Sequence, residues 1–254
     1  MPGLSKKQET LIRSLSGRHG RRGSDLCLCE GLRCCSEALL LRPDLVELLV
    51  LREDFEGILP QLDAETVRLP AQHFNSLCET ITSQGVFALL KKPEPPAPES
   101  PMQDSFAFVL DCVSDPGNFG TILRTARAAG LKEVWYAKGS TDPYAEKTIR
   151  SASSSQFALG LRRYESLAEL AVQLRTLGVE RFFRTTPSGG RPLYGEAQLF
   201  DHSAIIMGGE AFGAGTMESA IDVSIPMPGG AESLNVAQAS TIILFEHVRR
   251  NQKL

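Results

Sequence analysis

The feature that most constrains the fold is an apolar run, Phe106–Cys112, that leads through a short turn into an amphipathic helix. Such a run is typical of a strand covered on both faces, as in a parallel sheet. The helix is predicted over Phe119–Ala129, and Gly130 supplies the glycine that often follows a helix. Strand and helix signals then alternate to the end of the chain. This alternation predicts an α/β fold, with a mostly parallel sheet and helices on both faces.

A proline-rich segment, KKPEPPAPESPMQ, divides the chain. Five prolines in thirteen residues can continue neither a helix nor a central strand. We therefore predict a first domain over residues 1–92, a semi-rigid linker over 93–103 and a second domain over 104–254. Helical and strand signals also alternate in the first domain, which predicts a small α/β layer domain.

The predicted elements can be stated with their bounds. The predicted helices are Lys6–Leu15, Ser36–Leu41, Ala71–Thr80, Phe119–Ala129, Leu167–Leu177 and Asn235–Arg250. The predicted strands are Leu26–Cys29, Val46–Leu51, Gly85–Leu90, Phe106–Cys112, Glu133–Ala137, Arg181–Thr185, Ala204–Met207 and Val223–Met227.

Charge is distributed unevenly, although the whole chain carries a net charge of only −3. Residues 1–22 contain Glu9 and six cations, namely Lys6, Lys7, Arg13, Arg18, Arg21 and Arg22. Contact with a polyanion explains this pattern, and so does a solvated helix face. No apolar run approaches the ~20 residues that span a bilayer, and the N-terminus lacks the apolar core of a secretory signal. We expect a cytoplasmic protein without a membrane partner.

Four of the six cysteines lie in the stretch DLCLCEGLRCC. Their spacing fits no usual zinc pattern, and no histidine lies nearby to complete a ligand set. Cys27 and Cys29 stand at the period of a strand and would face the same side. We therefore expect small buried thiols and no bound metal.

Three loops of the second domain follow predicted strands, at the edge where open α/β sheets bind ligands. They are DPGNFGTILR (115–124), GGEAFGAG (208–215) and PMPGGAESLNVAQAS (226–240). None of them is a Walker loop, a dinucleotide-binding glycine motif or a G-x-S-x-G elbow. Each loop also has a purely structural explanation, in which Asn118 and either Ser233 or Asn235 cap helices and the glycines only turn the chain.

Taken in order, the three loops resemble the SpoU (TrmH-like) family of RNA 2′-O-ribose methyltransferases. The motifs are N-x-G-x-x-x-R, G-x-E-x-x-G and I-P-M-x-G-x-x-x-S-L-N-V, followed by a C-terminal helix, and the resemblance runs from about Asp104 to the C-terminus. The first domain is similar to the small L30e-like substrate-binding domain that precedes the catalytic domain in many members. That similarity lies in the basic start, the strand ending in Glu30-Gly31 and the strand QGVFALL.

The resemblance implies a SPOUT-type fold, in which the C-terminal segment forms a trefoil knot. It also implies S-adenosylmethionine as methyl donor and an obligate homodimer with the active site near the dimer interface. The RNA is a ribosomal or transfer RNA, and we favour ribosomal RNA. Within the site, Gly208, Ile225 and Leu234 match positions that hold the cofactor, and Met227 would add an apolar wall.

Arg124 matches the arginine that the family uses at the reacting hydroxyl. A guanidinium with a pKa above about 12 is a poor base but a good ligand for a phosphate. We interpret Arg124 as a clamp on the substrate phosphate that stabilises the developing alkoxide, and proton acceptance by Arg124 stays open. The other matches to catalytic positions are Asn118, Glu210, Ser233 and Asn235.

Two departures from the family pattern accompany these matches. Gly209 stands where many members have Asn, Ser or Ala, and we expect this to matter little. The segment KTIRSASSSQF (147–157) has Ser154 and Ser155 where a run of small residues with Gly and Ala is common, and we expect a changed RNA-facing surface.

Two other functions compete with RNA methylation. A non-catalytic RNA-binding or ribosome-assembly factor on the same scaffold would be indicated by lost motif residues, but all of them are present. A methyltransferase for proteins or small molecules is disfavoured by the basic N-terminus and the L30e-like domain.

Overall fold

The computed structural model describes residues 3–80, 82–210 and 213–251. The chain divides into two compact units. The first unit comprises Met1–Glu94 and Asp142–Ala158, and the second comprises Pro95–Thr141 and Leu159–Leu254. Residues 142–158 therefore belong to the first unit, although they lie far beyond the proline-rich segment in the sequence.

The helices and strands have the following bounds. The described α-helices are α1 (Lys6–Ser16), α2 (Arg18–Arg22), α3 (Leu32–Leu41), α4 (Ala71–Asn75), α5 (Pro116–Ala128), α6 (Glu146–Ala152), α7 (Leu167–Thr176) and α8 (Val236–Asn251). The described strands are β1 (Leu26–Glu30), β2 (Val46–Arg52), β3 (Thr66–Leu69), β4 (Val86–Lys91), β5 (Phe106–Asp111), β6 (Glu133–Ala137), β7 (Gly160–Tyr164), β8 (Arg181–Thr185), β9 (Arg191–Pro192), β10 (Ser203–Gly208) and β11 (Ile221–Ser224).

The first unit is built on a four-stranded sheet in the order β1-β4-β2-β3. β4 is antiparallel to both of its neighbours, whereas β2 and β3 are parallel. Alternate residues of β1 face opposite sides: Cys27 and Cys29 join one apolar cluster, and Leu28 joins the other. Both cysteines are fully buried free thiols, so the expectation of buried apolar thiols is confirmed for them.

The second stretch of the first unit covers the cysteine-bearing face of this sheet. Ile149 and Phe157 pack in the same cluster as Cys29. Ser154 and Ser155 are buried, and Ser154 Oγ donates a hydrogen bond of 2.9 Å to the carbonyl oxygen of Cys34. The expectation that these two serines shape an RNA-facing surface is therefore wrong, because they lie in the interior of the unit.

The cations of the basic N-terminus fall into two groups in the structure. Arg13 donates to the carbonyl oxygen of Ser76, and Arg21 forms an ion pair of 2.8 Å with Asp142. These two cations fix local structure. The other four are Lys6, Lys7, Arg18 and Arg22; they are exposed, and their side chains have no hydrogen-bond or ion-pair partner among the residues that the structure describes.

The second unit contains a seven-stranded sheet in the order β7-β6-β5-β10-β8-β11-β9, and every neighbouring pair is parallel. On one face Ala107 and Val109 pack with Leu170 and Leu174 of α7. On the other face Phe106 stacks against His247 of α8, with ring centroids 4.8 Å apart. The predicted parallel sheet with helices on both faces is confirmed, and the trefoil knot stays a prediction of the resemblance.

The proline-rich segment is anchored on the second unit rather than free along its length. Arg162 of the edge strand β7 is buried, forms an ion pair of 2.9 Å with Glu133 and donates to the carbonyl oxygens of Ala97, Ser100 and Pro101. A buried cation needs such a complete set of acceptors, because desolvation of an unpaired charge is costly.

Within the described ranges, no helix is long and apolar enough to cross a membrane.

Candidate active site

The carboxyl ends of β8, β10 and β11 meet at one edge of the parallel sheet, and a cavity of about 340 Å³ opens there. Seven of the nine residues predicted for the site line this cavity. They are the four cofactor positions Gly208, Ile225, Met227 and Leu234, and the catalytic positions Glu210, Ser233 and Asn235. The structure thus brings two of the three predicted loops to one place, and Asn118 joins them through hydrogen bonds described below.

The cavity wall includes residues that the sequence motifs did not indicate. Thr185, Thr186 and Pro187 line it from the carboxyl end of β8. Their position directly after a buried strand is the signal that could have found them, because that edge of a parallel sheet is where ligands bind. Much of the remaining wall is apolar and comes from β10, β11 and α8, through Met207, Val223, Val236 and Ile243.

Asn118 in the first turn of α5, Glu210 after β10 and Asn235 before α8 form one hydrogen-bonded chain. Asn235 Nδ2 donates to Asn118 Oδ1 at 3.0 Å, and Asn118 Nδ2 donates to Glu210 Oε1 at 2.5 Å. Asn235 Oδ1 accepts from the backbone N–H of Ala237 at 2.9 Å in the first turn of α8. Of the two caps proposed for the last helix, Ser233 or Asn235, the structure has Asn235.

The donor-to-acceptor direction of these hydrogen bonds follows from the groups at the two ends. The helix N–H groups can only donate, so Asn235 must turn its oxygen to them and its amide nitrogen to Asn118. Asn118 then accepts from Asn235 and donates to the carboxylate oxygen Oε1 of Glu210. We call this three-residue chain the amide relay. Its members have a defined orientation because each amide has a donor on one side and an acceptor on the other.

The relay depends on which residue caps α5. Asp115, not Asn118, caps α5: its side chain accepts from the backbone N–H of Asn118 at 2.8 Å. The helix therefore begins at Pro116, three residues before the predicted start, with proline at a first-turn position that needs no N–H donor. Because Asp115 does the capping, the Asn118 side chain is free to bind Asn235 and Glu210.

Asp111, the last residue of β5, holds the second loop in place. Its carbonyl oxygen accepts from the N–H of Gly209 at 2.8 Å, and its carboxylate accepts from the N–H of Gly215 at 2.8 Å and from the hydroxyl of Tyr164 at 3.1 Å. Burial, together with the charge of Asp111, raises the pKa of Tyr164, so the phenol remains a donor. The motifs did not indicate Asp111 as part of the site.

Gly208 and Gly209 allow the backbone to pass closely at this loop. A Cβ at Gly208 would lie 1.8 Å from the backbone nitrogen of Ala214, and one at Gly209 would lie 2.2 Å from the carbonyl oxygen of Cys112. Contacts this short require the backbone to move. Local packing of the second loop therefore requires glycine at 209, whereas the expectation that this departure matters little for function stays a prediction. Residues 211 and 212 of the same motif lie outside the described residues.

Arg124 lies on the exposed side of α5, whereas Phe119, Ile122 and Leu123 of the same helix are buried. It does not line the cavity, and none of the described residues forms an ion pair or hydrogen bond with it. Of the nine predicted site residues, Arg124 alone is neither in the cavity wall nor in the relay. No group of three or more His, Cys, Asp or Glu residues in the described ranges could hold a metal ion.

Known proteins are similar to this one in sequence and in fold. Residues 105–245 match the family model described as the SpoU rRNA methylase family. The 23S rRNA (guanosine(2553)-2′-O)-methyltransferase RlmP of Bacillus subtilis is 33% identical over 244 residues, covering 93% of this chain and 94% of the relative.

Solved structures agree with these sequence matches. A putative RNA methyltransferase of the TrmH family from Porphyromonas gingivalis superposes with a TM-score of 0.83 at 28% identity, over 98% of this chain and 100% of that one. The SpoU methyltransferase AviRb of Streptomyces viridochromogenes, solved in complex with AdoMet, superposes with a TM-score of 0.81 at 26% identity, over 97% and 98% of the two chains. The family predicted from the three motifs is confirmed, and the chain belongs to the SpoU rRNA methylase family.

Proposed function

We propose that this protein transfers the methyl group of S-adenosylmethionine to a ribose 2′-hydroxyl of ribosomal RNA. The observation that carries the proposal is the meeting of two loops at one cavity, where the amide relay joins Glu210 and Asn235 of these loops to Asn118 of α5. A set of polar groups oriented in this way is expected where a reaction needs fixed hydrogen-bond partners.

The residues of the cavity suit a nucleoside cofactor. Ile225, Met227 and Leu234 offer apolar surface for a base and for the thioether end of the cofactor, while Gly208 lets backbone groups come close to a base edge. When bound, S-adenosylmethionine supplies an activated methyl carbon. The protein then has to hold a weak hydroxyl nucleophile in line with that carbon and help to remove its proton.

We assign the polar wall of the site to the relay and Ser233. Glu210 Oε1 is taken by Asn118, whereas Glu210 Oε2 and the Ser233 hydroxyl have no hydrogen-bond partner among the residues described. Both groups are exposed at the cavity and can bind polar groups of the cofactor or of the ribose. In this assignment Asn118 and Asn235 position Glu210.

Arg124 is assigned the phosphate of the target nucleotide. Its exposed guanidinium has no acceptor among the described side chains, so it can bind a phosphate without first giving up an ion pair. Its distance in the fold from the cavity lining agrees with a role on the substrate rather than on the cofactor. A guanidinium close to the ribose also stabilises negative charge that develops on the 2′-oxygen.

Ribosomal RNA and a homodimer complete the proposal. The relative RlmP, named above as a 23S rRNA methyltransferase, supports ribosomal RNA as the substrate. Phe245, which is 47% exposed on α8 of the catalytic unit, supports an apolar contact with a second copy of the chain.

Transfer of tritium from labelled S-adenosylmethionine tests the function. The purified protein is incubated with unmodified transcripts of 16S rRNA, 23S rRNA and a tRNA pool, and the label is mapped by primer extension at limiting nucleotide. We expect a 2′-O-methyl group in ribosomal RNA. Transfer to tRNA alone would overturn the choice of RNA, and intact cofactor binding without transfer to any RNA would favour the non-catalytic factor.

Arg124→Ala tests the role of the arginine in the same assay. We expect transfer to be lost while calorimetry gives an unchanged affinity for S-adenosylmethionine. Arg163→Ala, which removes an exposed cation of β7, is the matched control and should transfer normally. Loss of cofactor binding in Arg124→Ala would contradict the clamp.

A further inference from the structure

The first unit contains a second cavity, of about 270 Å³, at the carboxyl end of β1. Its wall includes Glu30, Thr80, Thr82, Gln84 and Arg150. The volume lies close to the lower end of pockets that hold small ligands, which is about 300 Å³. The motifs of the catalytic unit leave this cavity without a function, although the strand that ends in Glu30-Gly31 belongs to the resemblance described above.

A buried carboxylate forms one side of this cavity. Glu30 is 3% exposed and accepts a hydrogen bond from the hydroxyl of Thr80. Behind it lies the carboxyl of Glu146, whose pKa is raised by burial and by the hydrogen bond and charge of Glu30, and which forms an ion pair with Arg150. The Glu30 carboxylate lines the cavity and can accept hydrogen bonds there.

The cavity wall also contains donors. Gln84 Oε1 accepts from the backbone N–H of Leu32 at 2.8 Å, so its amide nitrogen must point the other way. That nitrogen and the Thr82 hydroxyl have no hydrogen-bond partner among the described residues. The cavity thus presents a carboxylate acceptor and an amide donor at the same time.

This arrangement complements one RNA base better than the others. Guanine offers two adjacent N–H donors on its Watson–Crick edge and the O6 acceptor beside them, whereas uracil has one donor and adenine has no oxygen acceptor. A carboxylate accepts the two donors, and an amide N–H can bind O6.

Two arginines lie beside the cavity. Arg33, in the first turn of α3, is exposed and has no partner among the residues described, and Arg150 is partly exposed at the rim. Both guanidinium groups lie near the Cys34 thiol, since their charges act against the rise in its pKa that burial and the Cys29 hydrogen bond cause. A nucleotide whose base enters the cavity would find cations for its phosphates here.

We propose that this cavity binds an unstacked guanine of the RNA, with Glu30 accepting from its N1 and N2 hydrogens and Gln84 donating to its O6. The inference rests on the proposed function, because it names a base that the first unit selects in an RNA substrate. The methylated nucleotide is a separate one, bound at the catalytic cavity.

Four labelled RNAs of nine nucleotides, with G, A, C or U flanked on each side by four adenines, test this selection. Binding to the full-length protein is followed by fluorescence anisotropy at about 50 mM salt, where phosphate contacts are strong. We expect the G oligonucleotide to bind roughly tenfold more tightly than the other three. Glu30→Gln is an isosteric change that places an amide donor against the guanine donors, so the preference for G should disappear.

Glu47→Gln is the matched control, because it makes the same change at an exposed residue of β2 in the same unit. It should keep the preference. If Glu30→Gln does not melt like the wild type, Gln84→Leu removes the proposed O6 donor and should also reduce the preference. Equal binding of all four RNAs by the wild type, or an unchanged preference in both variants, overturns the guanine site.

The transfer assay on ribosomal RNA separates this failure from that of the proposed function. Methyl transfer with no base preference would overturn only the guanine site. Absence of both binding and transfer would overturn the two together.

Discussion

Asn118 is the residue on which the amide relay depends, because it both accepts from Asn235 and donates to Glu210. Asn118→Asp keeps the acceptor but places a carboxylate where an N–H faced Glu210. A hydrogen bond to a charged group contributes about 1.5–3 kcal/mol, so we expect methyl transfer to slow by roughly 10- to 100-fold. Single-turnover kinetics would measure the rate, and calorimetry would measure cofactor affinity.

Asn75→Asp, the same change at an exposed residue of the first unit, is the control for charge alone. It should leave the single-turnover rate unchanged. An Asn118→Asp protein as fast as the wild type would mean that the relay does not contribute to transfer.

Gly209 supports a second prediction at the scale of one residue. A Cβ there would lie 2.2 Å from the carbonyl oxygen of Cys112, so Gly209→Ala must push the second loop away from the end of β5. We expect affinity for S-adenosylmethionine to fall by roughly tenfold or more, a change of about 1.4 kcal/mol or above. Calorimetric titration would measure this affinity.

Gly229→Ala is the comparison for Gly209→Ala. A Cβ at Gly229 meets no atom within 4 Å, and this glycine lies in the third loop beside the cavity. Equal affinities of the two variants would show that the second loop tolerates the added methyl group.

Much of the site could be predicted from the sequence because its residues sit in three ordered motifs. The motifs did not indicate which hydrogen-bond partner each side chain has. Asp115 and Asn118 are both good caps by residue type, and only the structure tells which of them bonds the helix N–H. Asp111 was missed because a single acid at the end of an apolar run gives no sign of the backbone groups that it will bind.

At the scale of elements, the bounds of β6 and β8 agree with the predicted ones, since both strands are short runs rich in apolar and aromatic residues. β7 was not predicted, because its sequence GLRRY places two arginines in a strand. One of them, Arg162, is buried and paired with Glu133, a long-range partner that local periodicity cannot reveal. β11 ends at Ser224, before the predicted Met227, because Pro226 cannot donate to a ladder.

The C-terminal turn of α8 contains an acid whose charge the fold stabilises. Hydrogen bonds from Arg249 and Arg250 lower the pKa of Glu246 to about 2. Since the folded pKa lies below the unfolded value of about 4.3, this stabilisation is present above that value and is lost as pH falls toward 2. We expect Glu246→Gln to lower the free energy of unfolding by roughly 1–3 kcal/mol at pH 7.

Urea unfolding of the wild type and of Glu246→Gln between pH 7 and pH 3 would measure this difference. It should stay constant down to about pH 5 and shrink below it. A difference that is equally large at pH 3 would contradict the assigned pKa.

At the scale of the molecule, the proposed homodimer makes its own prediction. Phe245 of α8 and Val172 of α7 are both exposed apolar residues, 47% and 66% exposed, on helices that cover opposite faces of the seven-stranded sheet. We expect Phe245→Asp to give a monomer in light scattering and Val172→Asp to leave the dimer intact. A wild-type monomer, or a dimer that only Val172→Asp breaks, would contradict a contact through α8.

The family, the fold class and the reaction class predicted from the motifs are confirmed by the matching family, relatives and solved structures. The division of the chain could not be predicted in the same way. Proline content marks where regular structure stops, but it carries no information about which later segment returns to an earlier sheet. Ile149 and Phe157 show this return, since they pack on the face that contains Cys27 and Cys29.

The first unit is therefore encoded by two separate stretches of the gene and not by one continuous stretch. A recombination event within the proline-rich segment would import residues 1–92 without the stretch 142–158, and the cysteine-bearing face of the new sheet would meet a foreign cover. Exchange of the complete first unit between related genes would require two additional crossovers, one on each side of that stretch. The parts of the gene that encode the first and second units are thus expected to be inherited together and to change together, even though the units are separately compact.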